Sequence, residues 1–133
     1  METTREVKAV FSVSGWDEQP YAEADGVKLA KARYTKRYRG DLEGTSVTES
    51  LMVYRTDGSA TFVELERFEG SVLGKSGSFV IHSDGEYRAG FADSRGHIVP
   101  GTGTGELRTL TGETPYRVGH APEHPVVFRL AFG

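Results

Sequence analysis

Residues 51–70 read LMVYRTDGSATFVELERFEG. Two runs rich in Val, Phe, Tyr and Leu flank Thr56-Asp57-Gly58, and Asp-Gly between such runs is a strong hairpin signal because both residues tolerate a positive φ. The spacing predicts a strand over 43–55 paired with a strand over 60–69. In the second run, alternation places Ala60, Phe62, Glu64, Glu66 and Phe68 on one face and Thr61, Val63, Leu65 and Arg67 on the other. In the first run it separates Gly44, Ser46, Thr48, Ser50, Met52 and Tyr54 from Thr45, Val47, Glu49, Leu51 and Val53, and the pattern does not decide which face is inner.

Toward the N-terminus, 28–39 reads as a long strand with Ala30, Ala32, Tyr34 and Tyr38 opposite Lys31, Arg33, Thr35 and Arg37, ended by Gly40-Asp41. The segment WDEQPYAEADG, 16–26, carries Pro20 and several acids and reads as a loop or edge segment that folds Trp16 and Tyr21 over one end. Before it, Val7, Ala9, Phe11 and Val13 alternate through a first strand that Ser14-Gly15 stops.

Toward the C-terminus, Ser78 to Ser83 and Glu86 to Asp93 flank Asp84-Gly85, which predicts a second Asp-Gly hairpin. His97-Ile98-Val99, the turn Pro100-Gly101, the stretch GTGTGEL and a Pro- and His-bearing loop lead to HPVVFRLAFG, where Val126, Phe128, Leu130 and Phe132 alternate inward. The sum is about eight strands with frequent turn signals, the cue for an all-β antiparallel barrel or sandwich. A single eight-stranded barrel over 1–133 is the expected fold, since closure removes exposed strand edges.

A chain of 133 residues has room for one core. Its formal net charge of -3 disfavours nucleic acid and anionic membrane partners, whose phosphates require excess Lys and Arg. With 0 Cys there is no disulfide framework or thiolate metal site. The start METTREVKAVFSVSG lacks the pattern of a secretory signal, and no stretch approaches transmembrane length, so a cytoplasmic address is expected.

Five segments, WDEQPY (16–21), TKRYRGDLEG (35–44), LMVYRTDGSATFVELERFEG (51–70), KSGSFVIH (75–82) and VPGTGTGEL (99–107), resemble in order an uncharacterised bacterial family, a domain of unknown function similar to the allene oxide cyclase barrels. The resemblance implies an allene oxide cyclase-like, calycin-like barrel with an apolar lumen open at one end. Its wider relatives include cyclases and proteins that guide coupling of flexible apolar substrates, working by positioning and water exclusion.

Two carboxylates beside Phe62 and Phe68, Glu64 and Glu66, are candidates for an acid or base with a raised pKa; the competing reading turns them outward and fills the lumen with Thr61, Val63, Leu65 and Arg67. His82 closes an apolar run and is a candidate proton shuttle beside Val80, against a rim histidine bonded to backbone. Tyr34, Tyr38 and Tyr54 are placed to orient a ligand oxygen, against a purely core role. Glu49 falls opposite Lys36 if the second and third strands pair around Gly40-Asp41, best as an exposed cross-strand pair.

His120 and His124 are four apart, but Pro122 prevents the helix that would align them on a metal. Gly101, Gly103 and Gly105 lack the Lys and helix of a phosphate loop and read as turning glycines. The basic residues between Lys28 and Arg39 read as a solvated face rather than a nucleic-acid strip, and no nucleophile elbow or metalloprotease pattern is present.

The sequence therefore points to a barrel that binds a small apolar or amphipathic molecule in its lumen, with cyclase or isomerase chemistry as the enzymatic form. Glu66 and His82 are the catalytic candidates; Tyr34, Tyr38, Tyr54, Phe62 and Glu64 are the ligand-binding ones; no cofactor or metal is expected. The alternative is a non-catalytic carrier, or a homo-oligomeric interaction protein whose barrel is filled by its own side chains.

Overall fold

The two-residue period of the sequence becomes nine antiparallel strands in the computed structural model, which describes residues 3–133. In chain order they are β1 Thr3–Ala24, β2 Val27–Gly40, β3 Leu42–Tyr54, β4 Ala60–Val72, β5 Lys75–Arg88, β6 Phe91–Ile98, β7 Leu110–Glu113, β8 Tyr116–Val118 and β9 His124–Phe132, with one 3-10 turn at Gly105–Leu107. Hydrogen bonding follows the order β5-β4-β3-β2-β1-β9-β7-β6, and β6 returns to β5, so eight strands form a closed ring. β8 pairs with β6 at Ala92, Asp93 and Ser94, on the same edge as β7 and along the part that β7 leaves uncovered. None of the described residues forms a helix long and apolar enough to cross a membrane.

The ring is uneven. From β1 to β5 the strands are long and paired along most of their length, whereas β6 meets β7 through one residue pair, His97 with Glu113, and a bond of 2.9 Å from the Thr114 N–H to the Gly96 carbonyl. Beside it, the Gly101–Gly105 stretch runs along β5 in place of a strand. Thr104 and Thr102 accept the N–H groups of Ser78 and Val80 at 3.1 and 3.0 Å, so the glycine-threonine repeat completes an edge rather than cradling a phosphate.

Of the two readings of 16–26, loop or edge segment, the edge holds: 16–24 are strand, and β1 continues against β2 through register shifts at Ser14/Asp17 and Pro20/Ala22. Pro20 is tolerated because β9 pairs only with Thr3–Phe11 of β1, which leaves the proline on an edge that requires no N–H. Asp84-Gly85 lies in mid-β5 instead of turning the chain. A Cβ on Gly85 would stand 2.1 Å from the Asp93 carbonyl oxygen and 2.7 Å from the Phe62 ring, so this glycine serves close approach of neighbouring strands. The turns are at Leu73-Gly74 and Ala89-Gly90, both residues of each having positive φ, as in type I′ hairpins.

The inner face of β4 is Ala60, Phe62, Glu64, Glu66 and Phe68, so both carboxylates point inward, and β3 turns Ser46, Thr48, Ser50 and Met52 inward. One end of the interior is filled by Val7, Phe11, Tyr38, Leu42, Phe68, Phe79, Phe128 and their neighbours. The other holds a smaller cluster of Ala30, Ala32, Met52 and Phe62. Small side chains at that end leave the space for a chamber.

Candidate functional site

The chamber has a volume of about 570 Å³ and opens at the end where β1 runs on past β9. Its size falls within the range of small-molecule sites. β2 supplies Tyr34 and Lys36, β3 Ser50, Met52 and Tyr54, β4 Ala60, Phe62 and Glu64, and β6 Ala92; Tyr116 and Val118 of β8 close the side that the short strands leave open. Trp16 stacks on Tyr34 with ring centroids 4.8 Å apart and an interplanar angle of 28°, because the shifts in β1 bend its edge over the opening.

A polar tier separates the chamber from the packed end. Glu64 accepts the Tyr34 hydroxyl at 2.6 Å on Oε2 and the Tyr116 hydroxyl at 2.7 Å on Oε1. Glu66, one pleat deeper, accepts Lys36 Nζ at 2.9 Å on Oε1, and the Tyr38 and Ser46 hydroxyls at 2.6 and 2.7 Å on Oε2. The Lys36 and Glu66 side chains are 2% and 4% exposed, so this is a fully desolvated ion pair supported by extra hydrogen bonds, the condition under which such a pair is tolerated. Lys36 Nζ also lies 4.5 Å from the Phe11 ring centroid and 4.7 Å from that of Tyr116.

Burial, and then the adjacent carboxylates, hold the Tyr34, Tyr38 and Tyr116 hydroxyls well above the usual phenol range, so these groups remain donors. Near the opening, Tyr54 bonds Glu18 at 3.0 and 3.1 Å, and its hydroxyl is pushed up to about 12 by burial first and by that bond second. His124 is buried against Phe11, and burial followed by the nearby Lys36 charge lowers its pKa. His120 bonds the Tyr87 hydroxyl at 2.9 Å, so the two histidines occupy the chamber wall with different partners.

Of the residues singled out from sequence, Tyr34, Tyr54, Phe62 and Glu64 line the chamber. Tyr38 and Glu66 lie beneath it, bonded to each other. His82 is placed elsewhere: Phe79, Ile81 and Ser83 take the inner face of β5, and His82 stands outside between Leu65 and His97. Glu49 pairs with Arg33 across the strands and lies 3.5 Å from it on the exposed face, while Lys36 turns inward. Lys36, whose phase with Tyr34 and Tyr38 was available in the alternation, Ser46 and Tyr116 are the members of the tier that the sequence reading missed. Tyr116, on a three-residue strand after a proline, offers no periodic signal.

The sequence model of a family described as a protein of unknown function, DUF3224, matches residues 7–130. A crystal structure of a protein of unknown function from that family, from Shewanella oneidensis MR-1, is 28% identical, superposes with a TM-score of 0.83 and is covered over 98% of each chain. No curated protein matches this chain.

Proposed function

Because the chain belongs to the DUF3224 family of proteins of unknown function, we propose a role from its geometry: a calycin-like barrel, related in architecture to the allene oxide cyclases, that holds a small apolar or amphipathic molecule in its chamber. The observation that carries this reading is the chamber itself, an apolar wall of about 570 Å³ ending on one accessible carboxyl group, Glu64. A pocket of mostly apolar surface with a few convergent polar groups fixes the orientation of a ligand while desolvating its body.

In its catalytic form the chamber folds a flexible substrate and excludes water, and Glu64 is the group within reach of a proton; Glu66 is spent on Lys36, Tyr38 and Ser46 and acts by holding the tier in place. One observation favours a carrier without chemistry: the hydroxyl protons of Tyr34, Tyr38, Ser46 and Tyr116 are all directed at carboxylates of the tier, so none is free to act as an acid.

Thermal unfolding in the presence of a panel of fatty acids, alcohols, amines and aromatics tests the proposal. A ligand at about 100 times its Kd adds about 2.7 kcal/mol of stability. The shift should disappear in Ser50→Leu and Ala92→Leu, which extend side chains into the chamber, and persist in His82→Ala on the outer face. A panel without any shift, or shifts unchanged by the two filling substitutions, overturns the reading.

A further inference from the structure

The chamber has an asymmetry of charge and of hydrogen-bonding capacity. Two carboxyl groups, Glu64 and Glu66, and one ammonium, Lys36, make up the buried charges of the tier. Lys36 is engaged by Glu66 at 2.9 Å. Glu64 receives only neutral hydroxyls, and it receives them on both oxygens, the pattern of a carboxylate. One negative charge at the chamber floor is therefore left without a cation, in a setting where an unpaired buried charge is costly.

The groups around it are arranged to accept. With the Tyr34 and Tyr116 protons directed at Glu64, what those two oxygens can still offer a ligand is lone pairs. Ser50 is buried, lines the chamber, and makes no side-chain hydrogen bond among the described residues. At the opening, the Glu18 carboxylate is held by Trp16 Nε1 at 3.2 Å and by Tyr54, again neutral donors. Lys36, already compensated, is the one Lys or Arg that lines the chamber among the described residues, and Lys28 lies over the Tyr54 ring at 4.6 Å outside that lining; His124 is pushed toward its neutral form and His120 bonds the Tyr87 hydroxyl.

The wall completes the pattern. Seven of the residues lining the chamber are Phe, Tyr or Trp, and aromatic faces attract cations while accommodating an apolar body. The protein already holds one cation this way: the Lys36 ammonium sits between a carboxylate and the faces of Phe11 and Tyr116. Glu64, with Tyr34, Phe62 and the stacked Trp16, repeats that combination on the side open to a ligand.

Resting on the reading of the chamber as a binding site, we propose that its ligand is an organic cation, a protonated or quaternary amine on an apolar body, with the charged nitrogen seated beside Glu64. An amphipathic carboxylate would place like charge against Glu64 and find few free donors.

The test is calorimetric titration of the full chain with decyltrimethylammonium, decanol and decanoate at concentrations below micelle formation. The cation should bind at least about tenfold more tightly than the alcohol, and decanoate most weakly, because one desolvated carboxylate and several ring faces act on the charge alone. In Glu64→Gln the affinity for the cation should fall to that for decanol, whose own binding should change little. Should that variant fail to fold, the ranking of the three ligands on the unmodified protein decides. Decanol or decanoate binding as tightly as the cation overturns the ligand class and leaves the chamber standing as a site. Failure of all three to bind overturns both this inference and the reading it rests on.

Discussion

Lys36 and Glu66 are the two residues on which the interior turns, since each would be a buried charge without the other. Removing one member of such a pair is far more damaging than replacing both. Glu66→Gln should therefore lower stability by roughly 3–5 kcal/mol, and Lys36→Met in the same chain should restore part of that loss. Urea unfolding of the two single variants and the double variant checks this, and strictly additive losses would contradict it. The pair was only half legible in the sequence. Alternation put Glu66 with Phe62 and Phe68, but composition favours outward carboxylates, and the argument for burial lies in donors from β2 and β3 that no local pattern links to β4. His82 shows the opposite failure: a histidine after an apolar run suggests an inner position, and only the phase of β5, fixed by Phe79 and Ile81, turns it out.

Turns were read where their chemistry is conventional and missed where it is not. Asp57-Gly58 does turn the chain, with Gly58 alone at positive φ and the Asp57 carboxylate accepting the Ser59 N–H at 2.9 Å, whereas at Leu73-Gly74 and Ala89-Gly90 a residue with a side chain also takes the left-handed path, which it resists. Ala89 has φ 53° and is exposed, so Ala89→Asn should relieve the cost of that conformation and add about 1 kcal/mol, or about 3 °C in Tm for a chain of this size. An unchanged or lower Tm would refute it. Gly85→Ala should do the reverse, costing roughly 1–3 kcal/mol or more, because the added carbon meets backbone on β6 that cannot move aside. Its Asp-Gly context invited the reading of a turn, and only the closeness of Phe62 and Asp93 explains why glycine stands there. Over 16–26 the sequence left loop and edge open for a related reason: proline and acids mark an edge as well as a break, and β1 is an edge there.

For the molecule as a whole, the buried phenols tie stability to alkaline pH. Tyr34, Tyr38 and Tyr116 keep their protons in the fold to higher pH than in the unfolded chain, which ionises near the ordinary value of 10.0. Their contribution is complete below that pH and is lost as pH rises above it, since the unfolded state alone then releases protons. Tyr54 adds a smaller effect between 10.0 and about 12. His124 acts with the opposite sign: its lowered pKa makes its contribution complete above the ordinary 6.5 and lost as pH falls beneath it. Phenolate absorbance from the three deep tyrosines should appear only together with the circular-dichroism change of unfolding, and titration of these groups in an intact fold would contradict the tier described above. The antiparallel all-β architecture was the most legible feature of all, from regularly spaced turns and alternating strands, whereas the same pattern serves a sandwich as well as the closed ring that forms.

A hoop is only as firm as its weakest weld, and here that weld is the meeting of His97 with Glu113. Parting it exposes little backbone, so amides from 96 to 99 and at 113–114 should exchange hydrogen with water sooner than those of β2, β3 and β4. A guest too broad for the opening beside Trp16 would then have a second door, through the flank, at the rate at which the hoop breathes.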